Sequence, residues 1–161
     1  MRATRFNHVS IHADDLEESV RFYVEVFGME RIPAPTFEHP VAWLALGEQQ
    51  LHIFQRGTGA PAYHHVALDV DDFEGAYRKA RELGVLDRRS WSGPRVLPDR
   101  SVQLYIRDPA GNLVELDWPD VDTLDRSIVA DLGRLEDVVS QDEESLGATL
   151  YHARERTGVR A

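Results

Sequence analysis

The chain contains no cysteine, a single lysine (Lys79) and no apolar run long enough to span a bilayer. Without thiols, disulfides and thiolate metal sites are excluded, which fits a reducing compartment. Strong basic character is also missing. Eighteen Lys and Arg stand against 28 Asp and Glu, a formal charge of −10. Neither nucleic acid nor an anionic membrane is an expected partner for such a chain. Met1-Arg2-Ala3-Thr4-Arg5 leads into a strand with no apolar signal-like core, so a soluble, cytoplasmic protein is the expectation. The 161 residues suit one domain, or two small repeats that share a core.

What the chain does have is a repeat. Asn7-His8-Val9-Ser10-Ile11-His12-Ala13-Asp14-Asp15-Leu16-Glu17 matches His64-His65-Val66-Ala67-Leu68-Asp69-Val70-Asp71-Asp72-Phe73-Glu74 position by position. His8 answers His65, and the Asp pairs coincide. Each stretch reads as a strand running into a helix, with His8, Ser10 and His12 on one face and Val9 and Ile11 on the other. In the second copy His65, Ala67 and Asp69 oppose Val66, Leu68 and Val70. Asp14 and Asp71 are the expected helix N-caps. Leu16, Val20, Tyr23 or Val24, and Phe27 form the first buried stripe. Phe73, Tyr77, Ala80 and Leu83 form the second, and Gly28 and Gly84 end the helices.

The first copy continues with a short strand in 29–32, a Pro-rich loop, and strands over 41–46 and 49–54. Gly47-Glu48 joins the last two as a two-residue hairpin with Gly first. In the second copy a strand is expected around Ser90–Trp91, before a Gly-Pro loop, then strands over 102–107 and 112–118. Asp108-Pro109-Ala110-Gly111 between them suits a type I turn. The chain therefore reads as α+β, with two βαβββ modules at 5–55 and 63–118. An extension, 119–161, has no counterpart in the repeat. In it Leu124, Ile128, Leu132, Leu135 and Val139 are spaced as an amphipathic helix, and Leu146, Leu150 and Ala153 as a weaker second one.

Strand parity puts further polar groups on the face of His8 and His65. Leu51 and Ile53 take the helix side, leaving Gln50, His52 and Phe54 opposite; Val114 and Leu116 leave Leu113, Glu115 and Asp117. Aligning the repeats makes His52 the equivalent of Glu115. His8, His52, His65 and Glu115 then converge. Imidazoles and a carboxylate suit a divalent first-row metal, and a buried Glu is costly without a cation. His52 is open between fourth ligand, acid/base residue and pocket lining. His12 and Asp69, deeper on the face, read as a polar pair. Trp43, Phe54, Gln103, Tyr105 and Arg107 share the face by parity and suit an aromatic or anionic substrate.

Over about residues 5 to 118 the chain resembles the vicinal oxygen chelate superfamily of glyoxalases, extradiol dioxygenases, fosfomycin-resistance enzymes, epimerases and bleomycin-binding proteins. The resemblance implies paired βαβββ modules forming a U-shaped mixed sheet around a metal. It also implies ligands from the first strand of each module and the last strand of the second, here His8, His65 and Glu115. Where glyoxalases and epimerases have a further Glu or Gln ligand, this chain has His52. Leu104 to Glu115 is similar to the end of the extradiol dioxygenase signature, whose tyrosine, here Tyr105, sits near the substrate. The histidine which that signature carries before Leu104 is missing from 96–103.

The resemblance implies a metal-dependent enzyme, with Fe(II) or Mn(II) favoured and Ni, Co or Zn also suitable, acting on a small substrate with adjacent oxygens. His52 and Tyr105 are the candidate catalytic residues. Dioxygenase chemistry is preferred on Tyr105 and the triad, with a glyoxalase- or epimerase-like lyase or isomerase as the alternative. A metal-free binding protein of the bleomycin-resistance kind is a further one. A homodimer is expected, because sheet edges and the Leu124–Val139 stripe need covering.

Overall fold

A computed structural model describes residues 6–57, 59–89 and 92–151. The first copy folds as β1 (His8–Ala13), α1 (Leu16–Phe27), β2 (Glu30–Ile32), β3 (Val41–Leu46) and β4 (Gln49–Gln55). Its sheet has the order β1-β4-β3-β2. β1 runs parallel to β4, and β3 antiparallel to both β4 and β2. The hairpin of β3 and β4 closes at Leu46↔Gln49 with Gly47 at φ 57, the positive angle its position demands.

Alternation along β3 and β4 decides which side faces α1. Ala42, Leu44, Leu51 and Ile53 are all 5% exposed or less. They pack with Leu16, Val20 and Tyr23 of the helix, so Tyr23 rather than Val24 completes its stripe. Each fully buried aliphatic side chain contributes about 1.5–3 kcal/mol. The helix starts one residue later than the sequence suggests. Asp15 is the cap, accepting from Glu18 N at 2.9 Å, and the Asp14 carboxylate meets His12 Nε2 at 2.8 Å instead. Gly28 ends it at φ 64.

The second copy folds as β5 (His65–Asp69), α2 (Phe73–Leu83), β6 (Arg95–Val96), β7 (Val102–Arg107) and β8 (Leu113–Trp118). The cap is again one residue later than read, Asp72 accepting from Gly75 N at 2.8 Å. Phe73, Tyr77 and Ala80 are buried as expected, but Leu83 is 47% exposed. It lies at the last helical position, where the stripe has already turned away. The second strand of the module is β6, which follows Gly93-Pro94; the strand expected around Ser90–Trp91 falls outside the described residues.

Past β8, the extension is broken into short pieces where one continuous helix was expected. A 3₁₀ turn at Val121–Thr123 is followed by α3 (Arg126–Val129), β9 (Gly133–Arg134), a second 3₁₀ turn and α4 (Glu143–Leu146). The break has a cause: Gly133 N donates to Pro94 O at 3.0 Å and β9 pairs in parallel with β6. A strand cannot form there while the helical spacing continues. Leu124 and Ile128 are buried, whereas Val138 and Val139 are 65% and 55% exposed. α4 stops at Gly147, and Ala153 lies outside the described residues. The second sheet has the order β5-β8-β7-β6-β9.

The chain divides into two compact units, residues 1–66 with 107–114, and 67–106 with 115–161. The Asp-Pro-Ala-Gly turn thus goes with the first unit, and its hydrogen bonds show why. Gly111 N donates to Asp108 O at 2.9 Å, the closing bond of the turn. The Asp108 carboxylate, 4% exposed, accepts from the N–H groups of Ala110 and Asn112, the Asn112 amide and the Tyr23 hydroxyl at 3.0 Å. The Asn112 amide also donates to His12 O at 2.6 Å. Turn, helix α1 and strand β1 are held by one buried polar knot, in which an unmade bond would cost about 1–3 kcal/mol.

Candidate metal and substrate site

Register fixes the face of the first sheet that lies away from α1. Trp43 and His52 are direct partners across β3 and β4, and Ser10 partners His52 across β1 and β4. The His52 imidazole is therefore sandwiched. The Trp43 ring lies 4.2 Å on one side at 3°, and the His8 ring 4.1 Å on the other at 15°. Its Nε2 lies 2.9 Å from Gln50 Oε1. Burial first, and the neighbouring His8 second, hold the His52 imidazole below its ordinary range.

His8 is exposed and its Nδ1 meets Asn7 Oδ1 at 2.9 Å. With the hydrogen on Nδ1, Nε2 is the nitrogen left with its lone pair. His65, also in the first unit and exposed, sets its Nδ1 3.1 Å from Tyr63 O. The tautomer is fixed in the same sense.

The second unit holds Glu115, only 3% exposed. The Gln103 amide donates to Glu115 Oε1, and the Tyr105 hydroxyl is hydrogen-bonded to the same carboxylate. Burial, then the charge of Glu115, push the Tyr105 phenol well above its ordinary value, while Arg95 works in the opposite direction. Asp117 lies one turn of the pleat further along β8. Burial, then Glu115, then Asp69 drive its carboxyl far above the usual carboxylate range. Its Oδ1 is buried with no hydrogen-bond partner among the described residues. Asp69 therefore acts with the acids of the second unit, while His12 pairs with Asp14; the expected pairing of His12 with Asp69 is replaced.

The arrangement groups Tyr105 with Glu115, and His8 with His52. Among the described residues, no group of three or more His, Asp or Glu side chains is arranged to hold a metal. The donor chemistry nonetheless fits a divalent ion. Three carboxyl groups, those of Asp69, Glu115 and Asp117, gather in the second unit, and their mutual repulsion is what a cation relieves. Sequence reading missed Phe37, whose ring lies 6.4 Å from Trp43, and Arg56, whose guanidinium lies 4.6 Å over the Phe54 ring. Neither has a repeat equivalent to draw the eye, and Phe37 sits in the irregular loop.

No helix among the described residues is long and apolar enough to cross a membrane. Residues 5–116 match the family described as the Glyoxalase/Bleomycin resistance protein/Dioxygenase superfamily. Lactoylglutathione lyase of Escherichia coli O157:H7 is 28% identical over 127 residues, covering 70% of this chain and 90% of that one. Mitochondrial methylmalonyl-CoA epimerase of Bos taurus is 28% identical over 130 residues, covering 70% and 73%. Among solved structures, a variant of the fosfomycin resistance protein FosX from Listeria monocytogenes, complexed with Mn(II) and 1S,2S-dihydroxypropylphosphonic acid, shares the fold. Its TM-score is 0.61 at 15% identity, covering 76% of this chain and 96% of that one. Two βαβββ modules in an α+β fold, and a match over most of the sequence, make this chain a member of the Glyoxalase/Bleomycin resistance protein/Dioxygenase superfamily.

Proposed function

We propose that the protein is a divalent-metal-dependent enzyme acting on a small substrate with adjacent oxygens, with His8, His65 and Glu115 as the metal ligands. The observation that carries this reading is Glu115, a carboxylate 3% exposed and bordered by a second buried acid, Asp117. Fe(II) and Mn(II) suit two imidazoles and a carboxylate best, and Ni, Co and Zn are compatible. When bound, the metal supplies Lewis-acid stabilisation of negative charge on the substrate oxygens. The chain's own groups do the rest. Gln103 and Tyr105 hold Glu115 in place, and Asn7 and the Tyr63 carbonyl orient the His8 and His65 rings. His52, stacked and bonded to Gln50, stands beside the ligands as an acid/base residue.

Proton transfer beside a chelated carbonyl, as in a lyase or epimerase, is supported by the two relatives at 28% identity. Extradiol-type dioxygenase chemistry is the second reading. It is supported by the engagement of His52 Nε2 with Gln50, which leaves three protein ligands and room for O₂. We further propose a homodimer. Val138, Val139, Leu146 and Leu150 are each at least 45% exposed and would be covered by a second copy.

The test begins with metal analysis after loading with Fe(II), Mn(II), Ni(II), Co(II) or Zn(II). Assays of the lactoylglutathione lyase reaction, methylmalonyl-CoA epimerisation and catechol cleavage follow, each with and without O₂. Turnover without O₂ supports the first reading, and O₂-dependent cleavage supports the second. Equal metal uptake by the native protein and its His65→Ala variant would overturn both.

A further inference from the structure

The stack of His8, His52 and Trp43 does not end at Trp43. Beyond it lie Phe37, with its ring 6.4 Å from Trp43 at 45°, and Phe54, 5.6 Å from Phe37 at 73°. The Arg56 guanidinium sits over Phe54 at 4.6 Å. Phe54 extends the face of β4 that carries His52, two residues on. A closed apolar minicore would not look like this. Phe37 is 45% exposed, and among the described residues no carboxylate pairs with Arg56. Most telling is the Trp43 indole Nε1, which is shut off from water yet has no hydrogen-bond partner among the described residues. A buried N–H without an acceptor is costly, and in native proteins such a group commonly awaits a ligand or an ordered water.

We propose that Phe37, Trp43, Phe54 and Arg56 form a recognition surface for the planar, conjugated and negatively charged part of the substrate, with the Trp43 indole N–H donating to one of its acceptors. The chemistry selects each feature of that ligand. Tilted and edge-on rings pack against a flat π-system by offset and edge-to-face contacts, which a puckered aliphatic ring cannot reproduce. Arg56 is already held by Phe54 and supplies a planar cation suited to a carboxylate. The indole N–H adds a directional contact that excludes ligands with no acceptor. The proposal rests on reading this sheet face as the substrate site, and it names the substrate class that the face would take.

Calorimetric titration of the full chain with 2-naphthoate, 2-naphthol and cyclohexanecarboxylate, in the presence of a chelator, tests it separately from the metal reading. 2-Naphthoate is expected to bind at least about tenfold more tightly than either comparison compound. Arg56→Gln, an exposed substitution, should remove the preference for naphthoate over naphthol. Trp43→Phe keeps an aromatic ring but removes the donor, and should weaken naphthoate binding about fivefold. Absence of naphthoate binding, equal binding of the three probes, or unchanged affinity in both variants would overturn the proposal. Naphthoate binding by a protein that takes up no metal would leave it standing and remove the metal reading instead.

Discussion

In the first copy, the strand positions facing away from the helix carry rings: His8, His52, Trp43 and Phe54. In the second, His65 repeats His8, but three other equivalent positions carry acids: Asp69 in the place of His12, Glu115 in that of His52 and Asp117 in that of Phe54. Both copies bury the opposite face in the same way, with Leu51 and Ile53 in one and Val114 and Leu116 in the other, all at 5% exposure or less. The packing face thus keeps its chemistry, because apolar burial is what holds each sheet to its neighbours. The other face is free to diverge. Rings there stack on one another, whereas acids raise one another's proton affinity and leave an unpartnered oxygen on Asp117.

The sharpest way to break this comparison is to remove the equivalent residue from each copy. Glu115→Ala should lower divalent-metal affinity more than about 100-fold, beyond the loss typical of a supporting residue. His52→Ala should leave metal content nearly unchanged, since its Nε2 is engaged by Gln50. Metal analysis after dialysis against buffered metal decides it, and equal losses in the two variants would make His52 a fourth ligand.

The packing faces should instead behave alike. Leu44→Ala and Leu104→Ala both truncate side chains of 0% exposure, and each should cost about 2–5 kcal/mol in urea unfolding. A marked inequality would mean that one sheet relaxes around the cavity far better than the other.

The smallest effect concerns two other carboxylates, one in each unit. Burial raises the Asp108 pKa against all its hydrogen bonds. At Asp99, burial pulls the same way, but bonds from Ser101, Thr149 and Leu150 outweigh it and the pKa falls. A carboxylate with a lowered folded-state pKa contributes stability that is present above its unfolded value and lost as pH falls through the folded one. Asp99→Asn should therefore lower stability at neutral pH and flatten the acid limb below about pH 4, where the native protein has itself lost the contribution. Urea midpoints across that range would show it.

The sequence carried a great deal of this protein's organisation. The repeat of His8–Glu17 at His65–Glu74, and the alternation of apolar residues, placed both modules and their helix-facing sides. These signals are local and doubled, so a misreading of one copy is corrected by the other. Glycine at a positive φ is equally local, and Gly28, Gly47 and Gly84 stand where they were expected. The first failures were also local but competitive. Asp14 and Asp15 are both able to cap α1, and Asp15 takes the place while Asp14 pairs with His12; Asp72 likewise caps α2 in place of Asp71. What the tertiary structure alone decided involves partners far apart in the chain. The helical spacing of Leu124 to Val139 yields to the pairing of Gly133 and Arg134 with Arg95 and Val96, because strand hydrogen bonds to β6 satisfy backbone groups that a helix there would have satisfied internally. The Asp108 knot joins Tyr23 to Asp108 across 85 positions, and the stacking of Trp43 on His52 depends on register. A side chain's residue type and face can be read from its neighbours in sequence, but its hydrogen-bond partner is set by which distant strand arrives beside it.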